Sequence, residues 1–292
     1  MNQRATVIVA LLALQASVVA LGVVSVYSGL HAEPFGHHSP AKAYDGPALQ
    51  ADGPHRLFAV GAAPKLYVDI DYADLTIQTG NPSEIDVSLR SSDGIFDDKR
   101  PIVARADGDA VHISKSGDED GWTSGDDRMV TVIVPPETQV TVASGGDIKA
   151  TGLRAAASFE SVGRGSITID DFDGPRLRAS SRDSILLQQV VATHLDATSS
   201  DDHIDGNGLQ IQDGTVAADD HVTLGFASGT NTLVNALTND GKVHASGFPD
   251  GASLSSTSDD DTSSQTIRVG SGSGHLSVHS NDGNITLTQE GG

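Results

Sequence analysis

Beyond residue 56 the apolar positions recur every second residue. Leu66-Tyr67-Val68-Asp69-Ile70 and Asp74-Leu75-Thr76-Ile77-Gln78 alternate cleanly, which is the spacing of a strand with one buried face and not the 3.6-residue period of a helix. The same alternation predicts short strands at 84–89, 102–105, 110–114 and 128–134, divided by clusters of Gly, Asp, Ser and Pro. No helical period follows residue 56.

After Pro135-Pro136 the pattern becomes a repeat. A branched apolar residue returns at Ile148, Ile167, Ile185, Ile204, Val222, Val243, Ile267 and Ile285, in steps of 18, 19, 21 or 24 residues. Such a step is one coil of a β-solenoid. Two residues further on stand Ala150, Ile169, Leu187, Gly206, Leu224, Ala245, Val269 and Leu287, on the same strand face. Five residues beyond the first column come Leu153, Phe172, Val190, Leu209, Ala227 and Phe248, a second inward column past a corner. Four residues before it lie Ser144, Gly163, Ser181, Ser200, Ala218, Asn239, Ser263 and Asn281, mostly short polar residues that stabilise tight turns. The prediction is an all-β chain, a right-handed parallel β-solenoid of about 18–21 residues per coil, in which stacked coils bury a narrow apolar interior.

The N-terminus follows another pattern. Residues 5–30 contain no charged side chain and are long enough to span a bilayer as a single hydrophobic helix, with Arg4 on the cytoplasmic side. The run exceeds the 7–15 apolar residues usual in a cleaved signal. Leu30-His31-Ala32 nevertheless offers a cleavage site, so an uncleaved anchor and a removed signal peptide both stand. Either one exports the remainder. The expected organisation is therefore anchor or signal at 1–32, a flexible Pro/Gly linker at 33–56, irregular first coils or a cap at 57–138, and regular repeats at 139–292. His37 and His38 fall in the linker and read as polar filler.

Composition narrows the function. The chain has 18 Lys+Arg against 39 Asp+Glu, a formal net charge of −21, which excludes nucleic acid as a natural partner. It has no cysteine, so disulfides, thiolate metal sites and cysteine nucleophiles are absent.

With the strand pair LYVDIDYADLTIQTG, the segment DRMVTVIVPPETQVTVASGGDIKATGL and the recurring Ser-x-(Asp/Gly)-x-Ile/Val units, the chain resembles the bacterial putative-adhesin domain of unknown function, the toast-rack-like β-solenoid family. The resemblance covers about residues 57–292. It implies the solenoid fold, a position behind an N-terminal membrane segment or signal, and an adhesive role; its motifs are structural and supply no catalytic residue. The chain departs from the pattern in its acidity and in a longer coil between Val243 and Ile267.

Candidate chemistry centres on a duplicated triplet, Asp201-Asp202-His203 and Asp219-Asp220-His221. On stacked coils, Asp202, His203, Asp220 and His221 would array oxygen and imidazole ligands for Ca²⁺ or Zn²⁺, with Asp183, Asp240 and Asp282 extending the acidic ladder. Acidic corners that keep a repeat array soluble are the competing explanation. The acidic groups Asp170-Asp171-Asp173 and Asp259-Asp260-Asp261 leave a glycan-cleaving pair of carboxylates as a remote alternative. Trp122 sits in a polar loop. His194 and Asp196 suggest a triad only because Ser, His and Asp are abundant.

These features lead to a non-catalytic module without a cofactor, held outside the cytoplasmic membrane by the N-terminal helix, or secreted if that segment is cleaved. Its expected partner is an envelope protein or a surface polymer. The strand 285–288, so near the C-terminus, suggests self-association through an exposed last coil. The alternative is a metal-responsive envelope solenoid.

Overall fold

In the computed structural model the described residues are 48–71, 73–91, 101–115, 128–259 and 262–290, within a folded unit spanning Ala43–Gly292. The expected anchor, His37, His38, Trp122, Asp260 and Asp261 lie outside them. Among the described residues there are twenty strands and no helix, hence none long and apolar enough to cross a membrane. The strands predicted from alternation are found within two residues of their expected ends. They follow β1 (Arg56–Ala59), which was not among those expected, and are β2 (Lys65–Ile70), β3 (Ala73–Thr79), β4 (Glu84–Ser91), β5 (Ile102–Asp107), β6 (Ala110–Lys115) and β7 (Arg128–Val134).

The repeat region continues with β8 (Gln139–Ser144), β9 (Ile148–Thr151), β10 (Ala157–Ser161), β11 (Ile167–Ser181), β12 (Ile185–Ser199), β13 (Ile204–Ala218) and β14 (Val222–Phe226). It closes with β15 (Thr232–Thr238), β16 (Val243–Ser246), β17 (Ser253–Ser258), β18 (Ser263–Val269), β19 (Gly274–Ser280) and β20 (Ile285–Gln289). Parallel pairing in register stacks these coils into two ladders. One carries Ile148, Ile167, Ile185, Ile204, Val222, Ile285 and Val243 side by side. All but Val243 are at most 1% exposed, so the period-two column is the core.

The order of coils in space differs from their order in the chain. Val222 pairs with Ile285, and Ile285 with Val243. The last coil, β19–β20, therefore lies between the coils of β13–β14 and β15–β16. Ile267 is absent from the column: β18 runs antiparallel to β15 with Val234 opposite Ile267, and β17 pairs antiparallel with β18. The 24-residue step in the sequence is thus a hairpin and not a long coil. The N-terminal end mirrors this arrangement. The first coil, β2–β3, sits between β6–β7 and β8–β9, and β4 and β5 cover the outer coil antiparallel.

This order corrects the expectation of an exposed C-terminal coil. Strand β20 is paired on both sides, by β14 and β16, and offers no free edge for self-association. At that end each of β16 and β17 pairs with a single neighbouring strand. The last part of the expected linker is also built into the fold. Leu49 is buried, its N–H donates to the Ile102 carbonyl at 2.7 Å, and Ala48 bridges to Val103.

Two kinds of corner join the ladders. After the first column the chain turns through left-handed backbone at Gly152, Asp171, Gln189, Gly208 and Gly247, with φ between 51° and 82°. Asp171 is held there by Arg154, whose Nη2 lies 3.0 and 2.9 Å from the two carboxylate oxygens. The coil of β14 lacks this residue, so Phe226, and not the expected Ala227, pairs with Leu209 and fills the second inward column.

The other corner carries buried hydroxyls at Ser144, Ser161, Ser181, Ser199, Ser280, Thr238 and Ser263. Ser181 Oγ donates to the Gly165 carbonyl (2.7 Å), Ser199 Oγ to that of Asp183 (2.8 Å) and Thr238 Oγ1 to that of Gly283 (2.7 Å). The expected turn column is right at Ser144, Ser181 and Ser263. At Ala218 the position is right but carries no hydroxyl. At Gly163, Ser200, Asn239 and Asn281 the expected column is one or two residues late, since these neighbours are equally turn-like.

Candidate functional site

Repeat geometry brings the duplicated triplets together because residues 18 apart stand on adjacent coils. Ile204 pairs with Val222, so His203 and His221, which precede them, lie side by side. Their rings stack with centroids 4.6 Å apart and planes 5° apart. Each ring is held from behind by the preceding carboxylate: His203 Nδ1 lies 2.6 Å from Asp202 Oδ1, and His221 Nδ1 lies 3.3 Å from Asp220 Oδ2. Burial works against ionisation of Asp202. Hydrogen bonding with the His203 ring, with Asp183 and with the His203 backbone N–H outweighs it and holds the carboxyl below its ordinary value.

The third group that converges here is Asp205, which the triplet motif does not include. Its Oδ2 lies 3.6 Å from His203 Nε2. Ligand atoms of His203, Asp205 and His221 lie within 4.8 Å of one another, the only such group of three among the described residues. The signal for Asp205 was present in the sequence. In His203-Ile204-Asp205 the period of two sends Ile204 inward and its two neighbours to one outward face. The expected ligands Asp202 and Asp220 instead face the Nδ1 atoms. Asp183 continues their row, while Asp240 and Asp282 belong to the neighbouring row of Asp201 and Asp219, as the bonds Asp240 N–H to Asn281 O and Asp282 N–H to Asp219 O show.

The outward side of the same ladder is polar and regular. One row runs in register through Thr131, Thr76, Lys149, Thr168, Leu186, Asp205, Thr223 and Thr286. The next contains Gln78, Thr151, Asp170, Gln188 and Asn207. These side chains are half-buried or exposed. On a chain of net charge −21 this face is largely neutral.

The remote enzymatic alternative gains little. Asp171, at the centre of one acidic group, is engaged by Arg154 in a structural corner. His194 Nε2 does lie 3.1 Å from Asp196 Oδ2, a pair two residues apart on one strand.

A fold of stacked coils with inserted terminal coils and no helix among its described residues defines a β-solenoid of the toast-rack type. The chain belongs to the Toastrack DUF4097 family, whose model matches residues 64–288. It is similar to solved structures of a putative cell adhesion protein from Clostridium sporogenes (12% identity, 81% of this chain and 99% of that chain, TM-score 0.33) and a putative adhesin from Bacteroides fragilis (13%, 81% and 96%, 0.41). A putative lipid binding protein from Parabacteroides distasonis is also similar (10%, 83% and 96%, 0.31). Comparison with curated proteins finds no match.

Proposed function

We propose that the chain is a non-catalytic binding or scaffold module of the cell envelope, held outside the cytoplasmic membrane by the apolar segment 5–30 and reaching outward through the Pro-rich stretch that follows. The observation that carries this reading is the in-register row in which Thr131, Thr76, Thr168, Thr223 and Thr286 stand with Lys149, Leu186 and Asp205, beside Gln78, Thr151, Asp170, Gln188 and Asn207. Parallel strands about 4.8 Å apart fix these hydroxyls and amides in a repeating grid. Little backbone entropy remains to be lost when a partner binds, because the backbone is already ordered by the ladder. Neutral donors and acceptors on an otherwise acidic body suit a polymer or protein surface rich in hydroxyls and amides.

Crosslinking of intact cells that carry the full-length tagged chain tests the reading, with the N-terminal peptide read from the same sample. Capture of a surface polymer or a discrete envelope protein, lost on Thr168→Lys with Thr223→Lys, is the expected result. Recovery only of cytoplasmic proteins would overturn it.

A further inference from the structure

We propose that His203, Asp205 and His221 form a site for a divalent transition-metal ion of the zinc class, which clamps the coil of β13 to that of β14. Asp205 also stands in the outward row of the first ladder, but the site does not require that row to bind a partner.

Three observations carry it. First, the donors converge closely enough to share one ion. Two ligands each about 2.1 Å from a tetrahedral ion stand about 3.4 Å apart, and His203 Nε2 lies 3.6 Å from Asp205 Oδ2. The His221 ring, stacked on His203 at 4.6 Å, completes a group within 4.8 Å. Second, the ring nitrogens are already sorted. Asp202 and Asp220 occupy the Nδ1 side of each imidazole, leaving Nε2 as the ligand atom. A carboxylate behind a histidine fixes its tautomer and raises its basicity, the outer shell that metal-binding histidines usually have. Third, the side chains of His203, Asp205 and His221 are 30%, 42% and 43% exposed, so an ion can enter from solvent without the coils opening.

The donor set decides the class of ion. Two imidazoles and one carboxylate suit zinc and its neighbours in the transition series, whereas calcium takes six to eight oxygen ligands. Calcium is thereby removed from the earlier pair of candidates. Three protein ligands leave a tetrahedral ion one position open to an exchangeable group.

Titration of the full-length chain with zinc chloride, followed by calorimetry and thermal melting, tests the proposal. One zinc ion per chain is expected, with the folding equilibrium constant raised about 100-fold when free zinc is 100 times Kd. Calcium chloride at the same concentration leaves the melt unchanged. Asp205→Asn, and His203→Gln with His221→Gln, abolish the zinc shift while melting as the parent does without metal. Asp202→Asn keeps the site but weakens zinc binding about 10–100-fold. Undiminished zinc binding in the double histidine variant, or an equal calcium response, would overturn the proposal. If the double variant does not fold, Asp205→Asn decides in the same way.

Discussion

Val222 pairs in register with Ile285, sixty-three positions later, while Val243, the next member of its column in the sequence, pairs only on the far side of Ile285. The chain passes one ladder position by after β14 and fills it last. Strand β2, near the other end, lies in the same way between β6 and β8. Both terminal coils are therefore internal to the stack, and the outer coils depend on them for pairing.

Ile285→Ala should accordingly act at a distance. The side chain is fully buried, and truncating it costs about 2–5 kcal/mol. Because β16 has β20 as its pairing partner and β15 rests on β19, amide exchange should accelerate through β15 and β16 as well as β20. Exchange accelerated in β20 alone would contradict the inserted-coil order.

The left-handed corner gives a sharper contrast. Gly208 has φ 67° and Gln189, on the adjacent coil, φ 51°. A Cβ at Gly208 would meet no atom closer than 3.5 Å, so Gly208→Ala isolates backbone strain and should cost about 1–2 kcal/mol. Gln189→Gly relieves the same strain and should lose no stability, although glycine within a strand ordinarily costs about 0.5–1 kcal/mol. Denaturant melts of the two variants check both signs.

Ala218 interrupts the row of buried hydroxyls, lying between Ser199 and Ser280. By analogy with Ser181 and Ser199, which each bond a carbonyl in the corner of the preceding coil, Ala218→Ser should reach the Asp202 carbonyl and add about 1 kcal/mol. A destabilised variant would show that this corner has no room for the hydroxyl.

Burial holds His279 below the ordinary imidazole value. The sign follows from linkage: the folded chain binds the proton less readily than the unfolded one, so the contribution is intact above about pH 6.5 and is lost as pH falls below it. His112 adds in the same direction, through burial, with Asp107 opposing and Arg105 assisting. Replacing His279 by Gln should flatten the fall in stability between neutral and mildly acidic pH. An unchanged slope would remove His279 as a contributor.

The strands and the inward columns were legible in the sequence because a period of two and a recurrence of about 18 residues are properties of the side chains alone. The coil order was not, since Ile285 and Val243 are equally good neighbours for Val222 by composition. Only the 24-residue step, with Pro249-Asp250-Gly251 inside it, marked the hairpin that lets the last coil turn back. At the corner proposed to hold a metal, both histidines were legible in the sequence, whereas Asp205, which the structure brings beside them, was not singled out. Repetition drew attention to Asp202 and Asp220, whereas Asp205 occurs once, its counterpart on the next coil being Thr223.

The central claim, that the neutral face of the first ladder is the binding surface, is tested most directly by sedimentation of the full-length chain with isolated cell envelopes. The variant Thr168→Lys, Thr223→Lys, Thr286→Lys is compared with Thr141→Lys, Ser158→Lys, Thr215→Lys on the opposite ladder. All six positions face outward, so both variants should fold and both change the net charge equally. The account predicts that the first triple variant fails to co-sediment while the second binds as the parent does. Equal binding by both, or loss in the second alone, would contradict it.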